Sequence, residues 1–428
     1  MNLKQHLLTV ALAAAVAGSA SAAPNVTYIA GSTAFRSAAN AAIVAYATNN
    51  GGQLLAIDNA TIGSAGNMLV TYVASGTTNY IDVHWTGSEG GIQSCAGPAN
   101  GAANAATTSF FPTNASGWTN APLSSSAANV SHTATLAFSD TFQSTSIFNG
   151  KVGAVTYGAL TGWDGGDGLV GVVSFTWAGS KGFPTNANIT AQVANQLLAG
   201  GNIPLTLVTG NSADSTNSVY LLGRNGDSGT RLTTLAEMAY GVRTPVTQYA
   251  VATNYTGGGN TTATLVGTTT TNTLILYPTE TINGISSQTP GNSGYSSGGT
   301  LCGFLTNSYA KGSALTVAGS AARSTGTNFL VGYAGVSDAN GKTNGGLVEL
   351  AYNGVTFSTN AVAQGQYTFW GYEHLYVSPN ATAADSTLAA GLGNNILNST
   401  TATLNPNVSY NDMQCGRNGD GQVVYSNY

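Results

Sequence analysis

Arg224-Asn225-Gly226-Asp227-Ser228-Gly229-Thr230 places an obligate cation and two hydroxyls around a glycine turn. The next dozen residues are helical in pattern: Leu232, Leu235, Met238 and Ala239 recur near one face, and Gly241 supplies a stop. The first amides of such a helix have no acceptor within it, and the helix dipole favours negative charge at that end. A tetrahedral anion there would meet backbone N–H groups at Gly229, the Ser228 and Thr230 hydroxyls and the Arg224 guanidinium together. The chemistry on offer is oxyanion binding. The plainer reading of the same string is an N-cap with a solvent-facing arginine.

The segments that must position this turn alternate between strand-like and helix-like patterns, which predicts an α/β architecture with mainly parallel sheets. Strands are expected at 26–30, 68–73, 81–85, 133–138, 168–177, 205–208, 219–222, 329–333, 347–352 and 367–377, and helices at 32–46 and 189–198. The run from Gly168 to Trp177 is almost continuously apolar, as a strand buried on both faces requires. Residues 246–297 change character to threonine-rich alternation, which predicts a β-hairpin insertion rather than a linker between independent domains.

Residues 1–22 combine Lys4, an apolar run from Leu7 to Ala17 and Ala20-Ser21-Ala22, the pattern of a secretory signal cleaved after Ala22. This pattern implies a periplasmic or extracellular location, and no later segment has the apolar length of a membrane span. Loss of Lys4 with no acid takes the net charge from −5 to −6, which argues against nucleic acid as a partner. Only 6% of the 428 residues are charged, so each charge that becomes buried is conspicuous. Cys95, Cys302 and Cys415 have no metal-ligand spacing, and one bridge with one free thiol is the simplest oxidised state. His84, His132 and His374 likewise lack paired spacing, so neither a metal nor any other cofactor is expected.

Four stretches in order resemble the phosphate-binding proteins of bacterial phosphate ABC transporters, members of the type II periplasmic-binding-protein superfamily. They are Gly31-Ser-Thr-Ala-Phe35, Thr86-Gly-Ser-Glu-Gly-Gly-Ile92, Ala137-Phe-Ser-Asp140 and Arg224 through Thr230. Phe329–Gly335 and Gly365–Val377 are similar to later strands of the family. The resemblance implies a non-catalytic, two-lobed α/β fold with a ligand cleft between lobes, interrupted by the Thr-rich β insertion. Lobe 1 would comprise residues 23–177 and 369–428, and lobe 2 residues 178–368. The implied ligand is inorganic phosphate or a similar oxyanion, and the implied partner an inner-membrane ABC permease. Ser32 or Thr33, Ser88 and Asp140 would face the ligand from lobe 1, and Arg224, Ser228, Gly229 and Thr230 from lobe 2. Phosphate still carries a proton at neutral pH that Asp140 can accept, whereas sulfate has none, so the carboxylate would reject sulfate. Arg224→Ala is expected to abolish binding and leave the fold intact. Cys95 with Cys415 is the pairing this lobe assignment favours, since a bridge to Cys302 would restrain closure.

Three departures from the family pattern bear on the ligand. Glu89 stands where a small residue is usual, and a second carboxylate in the cleft would weaken anion binding. Asn225-Gly226-Asp227 reverses the usual Asp-Gly order and displaces the acid that steadies the arginine. Arg36 either adds positive charge at the cleft or caps the surface. Two rivals remain. Gly226-Asp227-Ser228-Gly229 is similar to the nucleophile motif of chymotrypsin-like proteases, but no histidine has the matching context. A secreted structural or adhesive protein keeping the fold without its ligand would also suit the low charge. Arg417-Asn-Gly-Asp-Gly421 echoes the cradle and reads as a plain turn rather than a calcium loop.

Overall fold

The structure is a computed structural model that describes residues 24–97, 106–113, 129–153, 155–253, 264–265, 272–282, 285–286, 289–306, 315–317 and 326–427. The signal segment lies outside the described residues. The main elements in chain order are β1 (Val26–Gly31), α1 (Arg36–Asn49), β2 (Leu54–Ile57), β3 (Asn67–Ala74), β4 (Thr77–His84), α2 (Ser88–Ala96) and β5 (Leu136–Ser139). Then come β6 (Leu169–Gly179), α3 (Ala191–Gly200), β7 (Asn202–Pro204), β8 (Ser218–Leu222), α4 (Gly229–Glu237) and α5 (Gly298–Thr306). The chain closes with β9 (Asn328–Gly335), α6 (Val336–Asn340), β10 (Val348–Tyr352), β11 (Trp370–Val377) and α7 (Ala383–Leu397).

One large sheet runs in the order β7-β8-β9-β6-β11-β5-β1-β4-β3-β2. It carries a two-lobed α/β fold, because β6 serves both halves. Residues Leu169–Ser174 of β6 pair with β11, whereas Phe175–Gly179 pair with β9. Its near-continuous apolar sequence is what such a position needs, and Val170 through Ser180 are all buried. The expectation of mainly parallel sheets is corrected. β1 is parallel to β4 and β5, and β8 to β9, but β6 is antiparallel to β9, β10 and β11, and β3 to β4. Parallel ladders need long crossovers, and only the strands feeding helices have them.

Local signals account for several element ends. Ser228 caps α4 by accepting the Arg231 amide at 3.2 Å, and Thr382 with Asp385 forms a capping box on α7. The strand expected at 205–208 is instead a short helix, Thr206–Thr209. Its sign was present: Leu205 and Val208 are buried three apart while Leu207 is exposed. The helix expected from Ser32 begins only at Arg36, after a turn.

The threonine-rich segment forms strands. Tyr249–Thr253, Thr264–Leu265, Asn272–Leu276 and Leu315–Val317 make a separate four-stranded sheet that reaches beyond residue 297. Val251, Leu274 and Tyr277 join Leu301 and Leu330 in a core of their own. All three cysteines are free and buried, so the expected bridge is corrected: Cys95, Cys302 and Cys415 sit in three different hydrophobic clusters. Trp177 is core, packed between Tyr333 and Phe369, and the Trp85 indole N–H is bonded to Asn40.

Candidate functional site

The carboxyl ends of β1, β4, β5 and β8 deliver four segments to one place, the usual position for a binding crevice in an open α/β sheet. They are the Ser32–Phe35 turn, the start of α2, the residues after β5, and the start of α4. Arg224 is fully buried among them. Its Nε donates to the Tyr295 carbonyl at 3.1 Å and Nη2 to the Ser296 carbonyl at 3.0 Å. Nη2 also reaches Thr33 Oγ1 of the opposite lobe at 3.2 Å, and Nη1 reaches Thr230 Oγ1 at 3.5 Å. Asp140 lies buried on the other side, with Ser88 donating to its Oδ1 at 2.5 Å.

The two lobes meet at Gly229. A Cβ there would stand 1.6 Å from Asp140 Oδ1 and 2.6 Å from Ser88 Cβ, so only glycine lets the start of α4 approach the Asp140–Ser88 pair. The first amides of α4, at Gly229 and Thr230, have no intrahelical acceptor, and Gly229 itself stands at this contact. Further bonds cross the gap: the Glu89 amide donates to the Asp227 carbonyl at 3.0 Å, and Thr233 Oγ1 to the Asp140 carbonyl at 3.2 Å.

Burial pushes the Asp140 carboxyl up to about 6, against the opposing pull of the Ser88 hydroxyl and the Arg224 charge. Asp140 is therefore largely ionised at neutral pH and can accept a proton-bearing ligand oxygen. Arg224 in turn feels Asp338 more strongly than Asp140. Asp338 sits on α6 beyond Gly298, a glycine whose Cβ would lie between Asp338 Oδ2 and Arg224 Nη1. The charge that most favours the Arg224 cation is thus that of Asp338, more than a hundred positions downstream, and not that of a neighbour in the turn. Asp227 instead contributes its backbone to the lobe contact, where it presses on Gly87.

Ser32 and Thr33 separate in role. Thr33 faces Arg224, whereas the Ser32 amide is spent on the Phe138 carbonyl at 2.9 Å and its hydroxyl accepts the Phe35 amide at 3.3 Å beneath the turn. Glu89 does not enter the space between Asp140 and Arg224, which corrects the expectation of a second carboxylate in the cleft. Its carboxyl turns back into lobe 1, accepting from Thr141 Oγ1, Ser146 Oγ and the Ile147 amide, and burial raises it to about 7. Arg36 faces Asp338 and a cavity of about 500 Å³ that adjoins Thr33, Trp85 and Ser296, so it adds positive charge there.

Two features carried no local signal. Glu373 of β11 is fully buried beside Asp140. The segment at Arg417–Gly421, read as a plain turn, is a strap across the lobes. Arg417 Nη1 is 2.9 Å from Glu237 Oε2 at the end of α4, and its guanidinium lies 3.9 Å over the Trp370 ring. Asp420 accepts the Phe142 amide at 2.9 Å, and Gly421 abuts the Ala236 backbone. Helix α4 is thereby held at both ends. The three histidines among the described residues stand apart, bonded or stacked in separate places: His84 to Thr108 and Ser109, His132 on Tyr28, His374 to the Asp167 carbonyl. Among the described residues no group of three or more His, Cys, Asp or Glu is placed to hold a metal ion, and no helix is long and apolar enough to cross a membrane.

No protein-family model matches this chain, and no curated protein matches it. Similar solved structures span nearly its whole length. PstS from Borrelia burgdorferi is 11% identical at a TM-score of 0.36, covering 90% of this chain and 98% of its own. An ABC-type phosphate transport receptor from Vibrio cholerae is 11% identical at a TM-score of 0.41, covering 89% and 99%. A putative phosphate ABC transporter substrate-binding protein with bound phosphate from Clostridium perfringens is 12% identical at 0.41, covering 87% and 96%.

Proposed function

We propose that this chain is an extracytoplasmic, non-catalytic solute-binding protein for phosphate or a related tetrahedral oxyanion, which it delivers to an ABC permease. The observation that carries the reading is the contact across the lobes: a helix start with free amides, a buried arginine and an ionisable carboxylate converge on Gly229 and Asp140. Residues 23–177 with 369–428 and residues 178–368 would move as the two lobes, and binding would stabilise their closed arrangement. The anion would take hydrogen bonds from the Gly229 and Thr230 amides, from Ser228, Thr33 and Ser88, and from Arg224. Asp140 would accept the ligand proton, and this sets phosphate above sulfate.

One observation favours the rival reading of a structural or adhesive protein: four contacts from Arg224 already end on protein oxygens. The two to Thr33 and Thr230 are the longest and are the ones a ligand would replace. Titration calorimetry with phosphate, arsenate, sulfate and molybdate separates the readings. Phosphate binding with weaker sulfate binding is expected; heat from none of the four retires the transport reading and leaves the scaffold. Arg224→Ala is a poor test here, because it removes the donors to the Tyr295 and Ser296 carbonyls and so perturbs the fold as well as the site.

A further inference from the structure

Glu373 lies in the middle of the sheet at the floor of the lobe 1 half of the site. β11 pairs with β5 through His374 opposite Ser139, so Glu373 and Asp140 leave the ladder side by side at its next step. On its other edge Glu373 pairs with Gly171, which lies against the Phe35 ring, and this places the carboxyl under the Ser32–Phe35 turn. It is fully buried, and neither oxygen has a hydrogen bond of ordinary geometry, although Ser32 is close enough to favour its charged form. A charged carboxylate in such a place needs a cation, and none among the described residues faces it. Arg224 acts on Asp140 and Asp338, and Arg36 acts on Asp338. Tyr372 and His374 alternate to the opposite face of β11 against Phe142, α4 brings Thr233 near Gly371, and Asp385 of α7 is bonded to Thr27 and Thr382. Among the described residues, the one charge that acts on Glu373 is that of Asp140.

Building on the proposed anion site, we infer that Glu373 is a positioning residue that determines its affinity: as a neutral acid it keeps the lobe 1 wall at a single negative charge and offers its proton to Ser32. Both acceptor positions of the Ser32 hydroxyl are then used, by the Phe35 amide and the Glu373 acid, which fixes the turn that carries Thr33. Burial and the Asp140 charge both hold the carboxyl well above its ordinary value, in the direction of the neutral acid. Its ionisation in alkaline solution places a second negative charge beside Asp140 and takes away the donor to Ser32. Anion binding then weakens with no change in the lobe 2 cradle.

The test compares wild type with Glu373→Gln, which is neutral at every pH and keeps a donor. Phosphate affinity is measured by calorimetry from pH 6.5 to pH 9.5. The second ionisation of phosphate affects both proteins alike, so the ratio of their affinities isolates Glu373. The ratio of wild-type to variant affinity is expected to be near one at pH 6.5 and to fall at least tenfold by pH 9.5. A ratio constant within threefold overturns the inference while leaving phosphate binding in place; absence of binding in both proteins at every pH overturns the transport reading and this inference with it. Infrared difference spectra at pH 7 supply a readout free of ligand: a protonated-carboxyl band lost in Glu373→Gln supports the neutral acid, and its absence refutes it.

Discussion

Adding one methyl group at Gly229 should separate the lobes. The new Cβ would fall 1.6 Å from Asp140 Oδ1, 2.5 Å from Ser88 Oγ and 2.6 Å from Ser88 Cβ. Carbon pairs settle at about 3.5–4.0 Å, so relief at Ser88 Cβ alone needs about 1 Å of backbone movement. Asp140 cannot swing aside cheaply, since it is buried and bonded to Ser88 at 2.5 Å. A displacement of about 1 Å in a preorganised site costs on the order of 100-fold, or about 2.7 kcal/mol. Gly229→Ala is therefore expected to weaken phosphate binding about 100-fold in calorimetry and to enlarge the ligand-bound particle in small-angle scattering. Alanine is the better helix former by up to about 1 kcal/mol, so the isolated α4 should not suffer. Gly226→Ala is the control: its Cβ would meet nothing within 4 Å, and affinity should be unchanged. Equal affinity and equal dimensions for wild type and Gly229→Ala would refute the lobe contact as the ligand site.

Asp140→Asn should narrow the preference for phosphate over sulfate at least tenfold, because the amide can donate to an oxyanion that carries no proton; competition calorimetry reads this, and an unchanged preference removes Asp140 from the selectivity argument. Arg417→Ala should destabilise the fold by about 3–5 kcal/mol in urea unfolding, since Glu237 would be left buried without its cation, and Arg417→Met with Glu237→Gln should recover part of the loss. Stability should also depend on pH. Burial raises Asp82 to about 8 and Glu89 and Asp420 to about 7, so the folded chain keeps protons that the unfolded chain has already lost. Stability therefore falls as pH rises toward these values, by at most about 1.4 kcal/mol per pH unit for each group. His84 and His374 are depressed by burial and act in the opposite sense only below about pH 6.5, where the unfolded histidines take up protons. Between pH 6.5 and pH 8 the melting temperature should fall, and a flat or rising profile there contradicts the buried neutral carboxyls.

Much of the local architecture was legible in the chain itself. The apolar run of β6, the cap at Ser228 and the alternation in the threonine-rich segment are short-range patterns, and each reports a backbone state that nearby residues enforce; α4 itself ends at Glu237, before the expected stop at Gly241, with Ala239 taking the left-handed turn. The start of α4 belongs to this class, because amides without an acceptor at a helix start arise from helix geometry alone. The acid whose charge acts most on Arg224, the inward turn of Glu89, the burial of Glu373 and the strap at Arg417 were decided elsewhere. Each is a meeting of groups from distant strands, set by sheet order, by the one-residue alternation of faces and by the direction a side chain takes once its neighbours are fixed. A carboxylate in sequence looks the same whether it will face a ligand, a hydroxyl or another carboxylate. Its charge state and its role depend on the water that folding removes and the partners that folding supplies.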